Sequence, residues 1–257
     1  MNISTEQIKQ LREETGVSVM QCRKALEEAG GDMEKALLVL KKKSSDIAAK
    51  KADREAHDGI VVVRKDGEKT AVVVLNCETD FVAKNADFIA LAEAITENVL
   101  KNGKDAAMET SKEMIDPVIQ KIGENIQLSS VDVIEGAVVG SYVHNGKTAS
   151  VVVLEGGDDT LAKDVAMHIT AMKPEYTTKE DVSSDIVSKV REMFEEEVAQ
   201  SDKPADIKEK MLLGKIDTFF KEKTLTEQSF IKNPDITVGR LLGDAKASIK
   251  HIFNKAL

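Results

Sequence analysis

The side chains best equipped for chemistry are scattered. The four histidines, His57, His144, His168 and His251, lie far apart, and none is attached to a Ser or Cys motif. The zinc-protease spacing HExxH, the nucleophile elbow GxSxG, clustered Cys/His pairs, the phosphate-binding P-loop and a GxGxxG turn after a strand are all missing. Cys22 and Cys77 form neither a CxxC pair nor a disulfide framework, and both read as small buried hydrophobes of a reducing compartment. Cys77, paired with a distant His, would be the candidate nucleophile of a small hydrolase. Its Val-rich surroundings offer no nearby base and no glycine-rich oxyanion loop. The inventory moves the expectation from covalent catalysis to binding, with no cofactor and no metal.

The most informative segment is Asn76-Cys77-Glu78-Thr79-Asp80-Phe81-Val82-Ala83-Lys84-Asn85, where a Val-rich strand gives way to a helix. Asp and Thr are favoured N-caps, so Thr79 or Asp80 can cap the helix with Phe81 packed beneath it. Alternatively Asp80 and Phe81 stand together on the turn as an acid and an apolar wedge able to enter a partner's pocket. Local physics leaves both open.

The elements that must carry this turn are written in caps and turns. Ser4 with Gln7 and Ser18 with Gln21 have capping-box spacing, Gly16 and Gly30-Gly31 are stops, and Asp32 caps a third helix bearing Ala36, Leu37 and Leu40. Lys41 to Lys43 and the Ala/Lys-rich stretch to His57 read as a solvated helical linker. From Asp58 the pattern is β, with Ile60-Val63 and Ala71-Leu75 flanking Asp66-Gly67, a dipeptide suited to a type I′ hairpin turn. A helix from about Asn85 to Leu100 and a helical segment broken at Pro117 precede further strands between Ile126 and Leu154, with Asn145-Gly146 at their turn. Lys69-Thr70-Ala71 recurs as Lys147-Thr148-Ala149, 78 positions on, and Ala83-Lys84 as Ala162-Lys163, which implies two related ββα subdomains. After Ser184, Ile186, Val190, Met193 and Phe194, then Pro204 with Ile207, Met211 and Phe219, predict an antiparallel helical hairpin with a narrow apolar seam.

The fold class is therefore α+β. Five parts follow along the chain: 1–54, a three-helix unit and linker; 55–135, a first core subdomain; 136–182, the start of a second; 183–224, the hairpin; 225–257, a return to the core. At 257 residues with 42% apolar and 32% charged residues, the chain is long enough for several folded modules. A net charge of -9 argues against direct binding to nucleic acid, which rewards a surplus of Lys and Arg. The N-terminus has no apolar signal region and no stretch approaches the roughly 18 apolar residues of a membrane span, so a cytoplasmic protein without a membrane partner is expected.

Thr-Asp-Phe-Val-Ala-Lys-Asn at 79–85 resembles the signature of the elongation factor Ts family, which has Arg or Lys at the sixth place. Leu-Arg-Glu-Glu-Thr-Gly at 11–16 and Met20-Gln21-Cys22-Arg23-Lys24-Ala25-Leu26 resemble its second marker. Lys121-Ile-Gly-Glu-Asn-Ile126, Ala166-Met167-His168-Ile169, Lys173-Pro174-Glu175 and Thr237-Val238-Gly239 match in order and spacing, so the likeness runs to about residue 243.

The resemblance implies a non-enzymatic nucleotide exchange factor that ejects GDP from the GTPase elongation factor Tu. It implies an N-terminal unit similar to ubiquitin-associated domains, docking through Leu11, Val19 and Met20, with Val19 standing where some members have Met. Leu11 is equally readable as packing inside the bundle, whereas Met20, just after an N-cap and adaptable in shape, reads as the better surface anchor. Thr79, Asp80, Phe81 and Val82 would reach the magnesium and phosphate side of the partner's nucleotide site, and His144 would touch the partner. One-to-one and two-plus-two assemblies with Tu both remain open. The resemblance also implies a final module with a Gly-Glu-Gly strand and a terminal helix that normally adds partner contacts, whereas this sequence ends at Phe253-Asn-Lys-Ala-Leu257. Without the motif match, the same architecture would suit a protein or peptide adaptor lacking exchange activity.

Overall fold

The computed structural model describes residues 3–257; Met1 and Asn2, within the span expected for the N-terminal unit, lie outside the described residues. Helices and small sheets are mixed, as an α+β chain requires. They form two compact units, one of Met1–Glu135, Val143–Ala149 and Lys255–Leu257, the other of Gly136–Tyr142 and Ser150–Asn254.

The first unit begins with α1 (Thr5–Thr15), α2 (Val19–Glu28) and α3 (Met33–Lys51). Ser4 and Ser18 each close a capping box with the Gln three residues on, and Gly16 ends α1 at φ 68°. Leu11, Cys22, Ala25, Leu26, Ala36 and Leu40 form the core of these helices. The expected solvated helical linker divides: residues 52–57 lie beyond the helix and are largely exposed, whereas the part up to Lys51 is the second half of α3. Ser44 and Ala48 are buried, Ile47 packs on the neighbouring core, and Ser45 Oγ donates to the buried Asp116 carboxylate at 2.7 Å. The Lys residues that suggested solvation occupy the outer face, while one residue per turn is small and faces inward.

A hairpin follows, β1 (Asp58–Asp66) and β2 (Lys69–Cys77), antiparallel with Val62 opposite Val73. Its turn is not type I′, which needs positive φ at both central residues; only Gly67 is positive, at 57°, as in a type II′ turn. Asn145 and Gly146, at 52° and 68°, do supply both positive angles, and Lys147 N donates to His144 O across them at 2.9 Å. The short helix α4 (Asp80–Ala83) and the long α5 (Ala86–Asn102) and α6 (Lys104–Ile122) come next, then β3 (Ile126–Glu135), which pairs with β2. Pro117 lies inside α6 and does not break it. One missing N–H is outweighed by the burial of Ile115 and Ile119 on either side of it. Central β2 is buried almost throughout, and its alternate residues Ala71, Val73, Leu75 and Cys77 share a core with Phe88, Ile95, Ile119 and Val131.

The second sheet has the order β4 (Val138–His144), β5 (Thr148–Glu155), β8 (Ser248–Ala256). Val152 and Leu154 of β5 pack with Val165, Ala166 and Ile169 of α7 (Asp159–Met172). The helices α8 (Ser184–Ala199) and α9 (Ala205–Lys223) lean on each other: Lys215 Nζ meets Glu197 at 2.8 Å and lies 5.5 Å from the centre of the Phe194 ring. α9 has no buried residue and α8 only Val198, so their seam is thin. The pair β6 (Ser229–Phe230) and β7 (Asn233–Thr237) and the helix α10 (Val238–Asp244) return the chain to this core, where Leu225, Phe230, Val238 and Leu242 are buried. No helix among the described residues is long and apolar enough to cross a membrane.

Candidate functional site

The turn between β2 and α5 is built by Thr79. Its backbone is extended, φ -131° and ψ 155°, and its hydroxyl accepts from Val82 N at 3.4 Å, so it is the N-cap of α4. α4 lasts one turn because Asn85 caps α5 immediately afterwards, accepting from Asp87 N at 2.9 Å. Val82 and Ala83 face the core, while Phe81 precedes them by roughly 100° and 200° of helix rotation. Phe81 is consequently 81% exposed. That rules out packing beneath the helix. Burying a Phe is worth about 1.5–3 kcal/mol, and this fold forgoes that gain at this position. Asp80 stands beside it with its carboxylate 2.7 Å from Lys84 Nζ, a hydrogen bond that raises the lysine pKa. Both groups are solvated enough for the pair to contribute little to stability.

The turn is fastened from a distance. Glu124 Oε2 accepts from Glu78 N at 3.1 Å and Thr79 N at 3.0 Å, and its Oε1 accepts from the Thr79 hydroxyl at 2.7 Å. The Glu78 carboxylate accepts in return from Asn125 N at 2.7 Å, and Arg54 stands 3.4 Å from it. Lys121 holds Asp87 of α5 at 2.7 Å. The segment 121–126 thus supports both ends of the turn. In the sequence the segment carries no mark of this role beyond two acidic side chains, Glu78 and Glu124, each beside a chain reversal.

Val19 and Met20 occupy the first turn of α2 and are 53% and 66% exposed. Leu11 is different: at 0% exposure it lies inside the three-helix core with Val17, Cys22 and Leu26, so its side chain is packing and not surface. His144 is exposed at the end of β4, with Asn145 Nδ2 3.3 Å from its Nε2. Its turn is tied to β1, because Val61 N donates to Gly146 O at 2.7 Å and Lys147 Nζ bonds the Asp58 carboxylate and Gly59 O. The Lys147 contact holds the Asp58 pKa below the ordinary carboxylate value.

Cys77 is fully buried, and burial pushes its pKa up to about 11. A thiol that stays protonated is a poor nucleophile, so the hydrolase alternative loses its candidate. Cys22 is likewise raised by burial. Among the described residues no three His, Cys, Asp or Glu side chains gather as a metal site.

Residues 78–256, more than half of the chain, match the family model described as Elongation factor TS. The chain is 43% identical to elongation factor Ts of Hahella chejuensis over 96% of this chain and 89% of that protein. It is 43% identical to elongation factor Ts of Deinococcus deserti over 93% of this chain and 95% of that protein. For Aeromonas hydrophila elongation factor Ts the identity is 41% over 96% and 88%. With the family model matched over more than half of the chain and likeness along nearly the whole sequence, the chain belongs to the elongation factor Ts family and is an elongation factor of protein biosynthesis.

Proposed function

We propose that the chain binds the GTPase elongation factor Tu loaded with GDP, disturbs its Mg2+ and phosphate site, and promotes GDP release so that GTP can rebind. The observation that carries this is the exposed Phe81 beside Asp80 on a turn held by Glu124. An exchange factor works by binding the nucleotide-free or distorted GTPase more tightly than the loaded one, and linkage makes the effect reciprocal. It opens a second route for release and leaves the overall GDP/GTP equilibrium unchanged. Magnesium is a point of attack because it demands near-octahedral oxygen geometry at about 2.1 Å and ties the phosphates to the protein. Phe81 is the apolar insertion; Asp80 makes a polar contact in the magnesium region; Thr79 and Val82 hold the turn. The factor performs no covalent chemistry of its own.

Docking energy comes from elsewhere in the interface. Residues 1–54 act as a ubiquitin-associated-like docking unit through Val19 and Met20, with Leu11 packed in its core, and His144 adds a contact from 143–149. The two three-stranded sheets, each with the second strand of a hairpin at its centre, support a duplicated ββα core spanning 55–135 and 136–182, with the hairpin at 183–224 and the return at 225–257. The working site is the cytoplasm.

The test is stopped-flow release of fluorescent GDP from elongation factor Tu, with and without the protein, in magnesium and in excess chelator. Acceleration is expected in magnesium, with a smaller ratio in chelator because metal loss already bypasses the assisted step. Unchanged release in magnesium would point to an adaptor without exchange activity.

A further inference from the structure

We propose that Glu124 is a positioning residue that holds the Asp80-Phe81 turn in its projecting form, an inference that rests on the reading of that turn as the nucleotide-displacing element. The backbone ladder of β2 and β3 closes at Cys77 opposite Ile126, so the amides of Glu78 and Thr79 lie beyond it. Both point at one carboxylate oxygen of Glu124, 45 residues downstream of Thr79. Gly123, at φ 91°, ends α6 in the left-handed region and turns the chain so that Glu124 can reach across.

The hydroxyl of Thr79 has a single proton. Donating it to Glu124 Oε1 at 2.7 Å leaves a lone pair for Val82 N, so the carboxylate orients the cap from which α4 starts. A helix of four residues has too few internal bonds to persist by itself. Phe81, exposed as it is, has no packing to fix its direction, and its aim is set by the backbone alone. Three bonds to that backbone and its cap converge on Glu124, beside Cys77 Sγ donating to Thr79 O at 3.2 Å and the buried Val82 and Ala83, while Glu78 and the buried Asn125 hold the Glu124 segment in place by the return bond and by Asn125 Nδ2 donating to Arg54 O at 2.6 Å.

The carboxylate accepts from three donors. Ala at 124 removes every acceptor. Gln retains most of the arrangement: its carbonyl oxygen takes the two amides, and its NH2 donates to the Thr79 hydroxyl, which keeps a lone pair for Val82 N.

The experiment uses the full chain in GDP release from elongation factor Tu, at saturating and at half-saturating factor. Glu124→Ala is expected to lower the saturated rate by about tenfold, the scale of losing charge-assisted bonds, with the half-saturating concentration changed by less than about threefold. Glu124→Gln should stay within about threefold of the unmodified chain. The Phe81→Ala/Glu124→Ala double variant should be no slower than Phe81→Ala, because a residue acting through Phe81 has nothing left to position. Amide hydrogen exchange, which needs no partner, should speed up at Glu78, Thr79 and Val82 in Glu124→Ala and stay slow at Val73 and Leu75. Losses that multiply in the double variant, or protection lost along the whole of β2, would overturn the assignment in favour of an independent contact or a general fold role. Unchanged amide exchange sinks the positioning by itself. A Phe81→Ala chain that releases GDP at the unmodified rate sinks the reading of the turn, and the functional half of this inference with it.

Discussion

Two helix starts in the first unit each push a large apolar side chain into water, and they are held by different means. Met20 stands on the first turn of α2, whose cap is the box of Ser18 and Gln21, three residues apart. Phe81 stands on α4, whose cap Thr79 is oriented by Glu124 from 45 residues away. The first is local in its start signal: Ser18 and Gln21 cap the ten-residue helix at its own N-terminus, and Cys22, Ala25 and Leu26 seat it in the small core of the same three helices. The second depends on tertiary structure, since a one-turn helix has no stability to spare. In the proposed function these are the docking anchor and the displacing wedge, so the part that must act with angular accuracy is the one cross-braced to a second loop.

Phe81→Ala should give the largest effect. Removing an aromatic hot spot commonly costs about 2 kcal/mol or more, roughly thirtyfold. The loss should fall mainly on the rate of GDP release at saturating factor rather than on complex formation. Circular dichroism should be unchanged, because an exposed ring contributes nothing to the core. In excess chelator most of the defect should vanish. The same fractional loss with and without chelator would mean that the ring pushes on the phosphates or base and not on the metal region.

Met20→Ala comes next, at about 1–2 kcal/mol. Its defect should appear as a higher concentration for half-maximal release, overcome by adding more factor and persisting in chelator. If saturation failed to restore the rate, anchor and wedge would not be separable. A point substitution is preferable to deleting residues 1–54, because deletion would strip α3 from the first core, where Ala48 is buried and Ile47 packs.

The contrast also explains what was legible in the sequence. The caps at Ser4, Ser18 and Asp32, the stop at Gly16 and the Asn145-Gly146 turn are local devices, and each sits where its residues predict. The α+β class follows from the same periodicities. The Thr79 cap was readable too, but the direction of Phe81 was not, because whether an aromatic beside a cap turns inward depends on which neighbours fill the core. Val82, Ala83 and Phe88 fill it here. Glu124 was invisible as a partner of Thr79 for a plainer reason: a carboxylate after a helix looks the same whether it meets water or a distant amide. Pro117 and the Lys-rich half of α3 misled because propensity and charge describe one residue or one face, whereas burial of Ile115, Ile119 and Ala48 decided the outcome.

A distant brace in the second unit offers a pH test of the same contrast. His168 is fully buried; its Nδ1 accepts from Ile231 N at 3.2 Å, so its Nε2 carries the proton and donates to Gln228 Oε1 at 2.9 Å. Burial lowers its pKa below the ordinary value of 6.5. The unfolded chain therefore binds the proton more readily, and this contribution to stability is complete above about pH 6.5 and is lost as pH falls below it. The slope cannot exceed about 1.4 kcal/mol per pH unit for one group. The protection factors of the Val165 and Ile169 amides, observed exchange divided into the intrinsic rate at each pH, should fall between about pH 7.5 and 5.5, while those of α2, whose cap has no titrating atom, should change far less. A His168→Gln chain should start less stable and lose the His168 part of this response. Equal acid sensitivity in the His168→Gln chain would assign the effect to other groups.

The smallest effect is expected at the local cap itself. Ser18 Oγ accepts from Gln21 N at 3.3 Å, and Gln21 Oε1 accepts from Ser18 N at 3.1 Å, both exposed. In Ser18→Ala the first bond is lost and water replaces it, which costs about 1 kcal/mol. Ser18→Gly should cost only a few tenths of a kcal/mol at the cap, and Ser18→Asp should restore the bond with a charge suited to a helix N-terminus. Amide exchange at Gln21 and Cys22 reports this locally, which matters in a chain of two units where a single melting temperature need not describe one transition. Exchange at Thr79 and Val82 should not change, and the saturated rate of GDP release should hold, because α2 keeps its buried face and the wedge is braced through Glu124. If Ser18→Ala instead lowered the saturated rate as Phe81→Ala does, the start of α2 and the start of α4 would be coupled. The division into a locally capped anchor and a remotely braced wedge would then have to be abandoned.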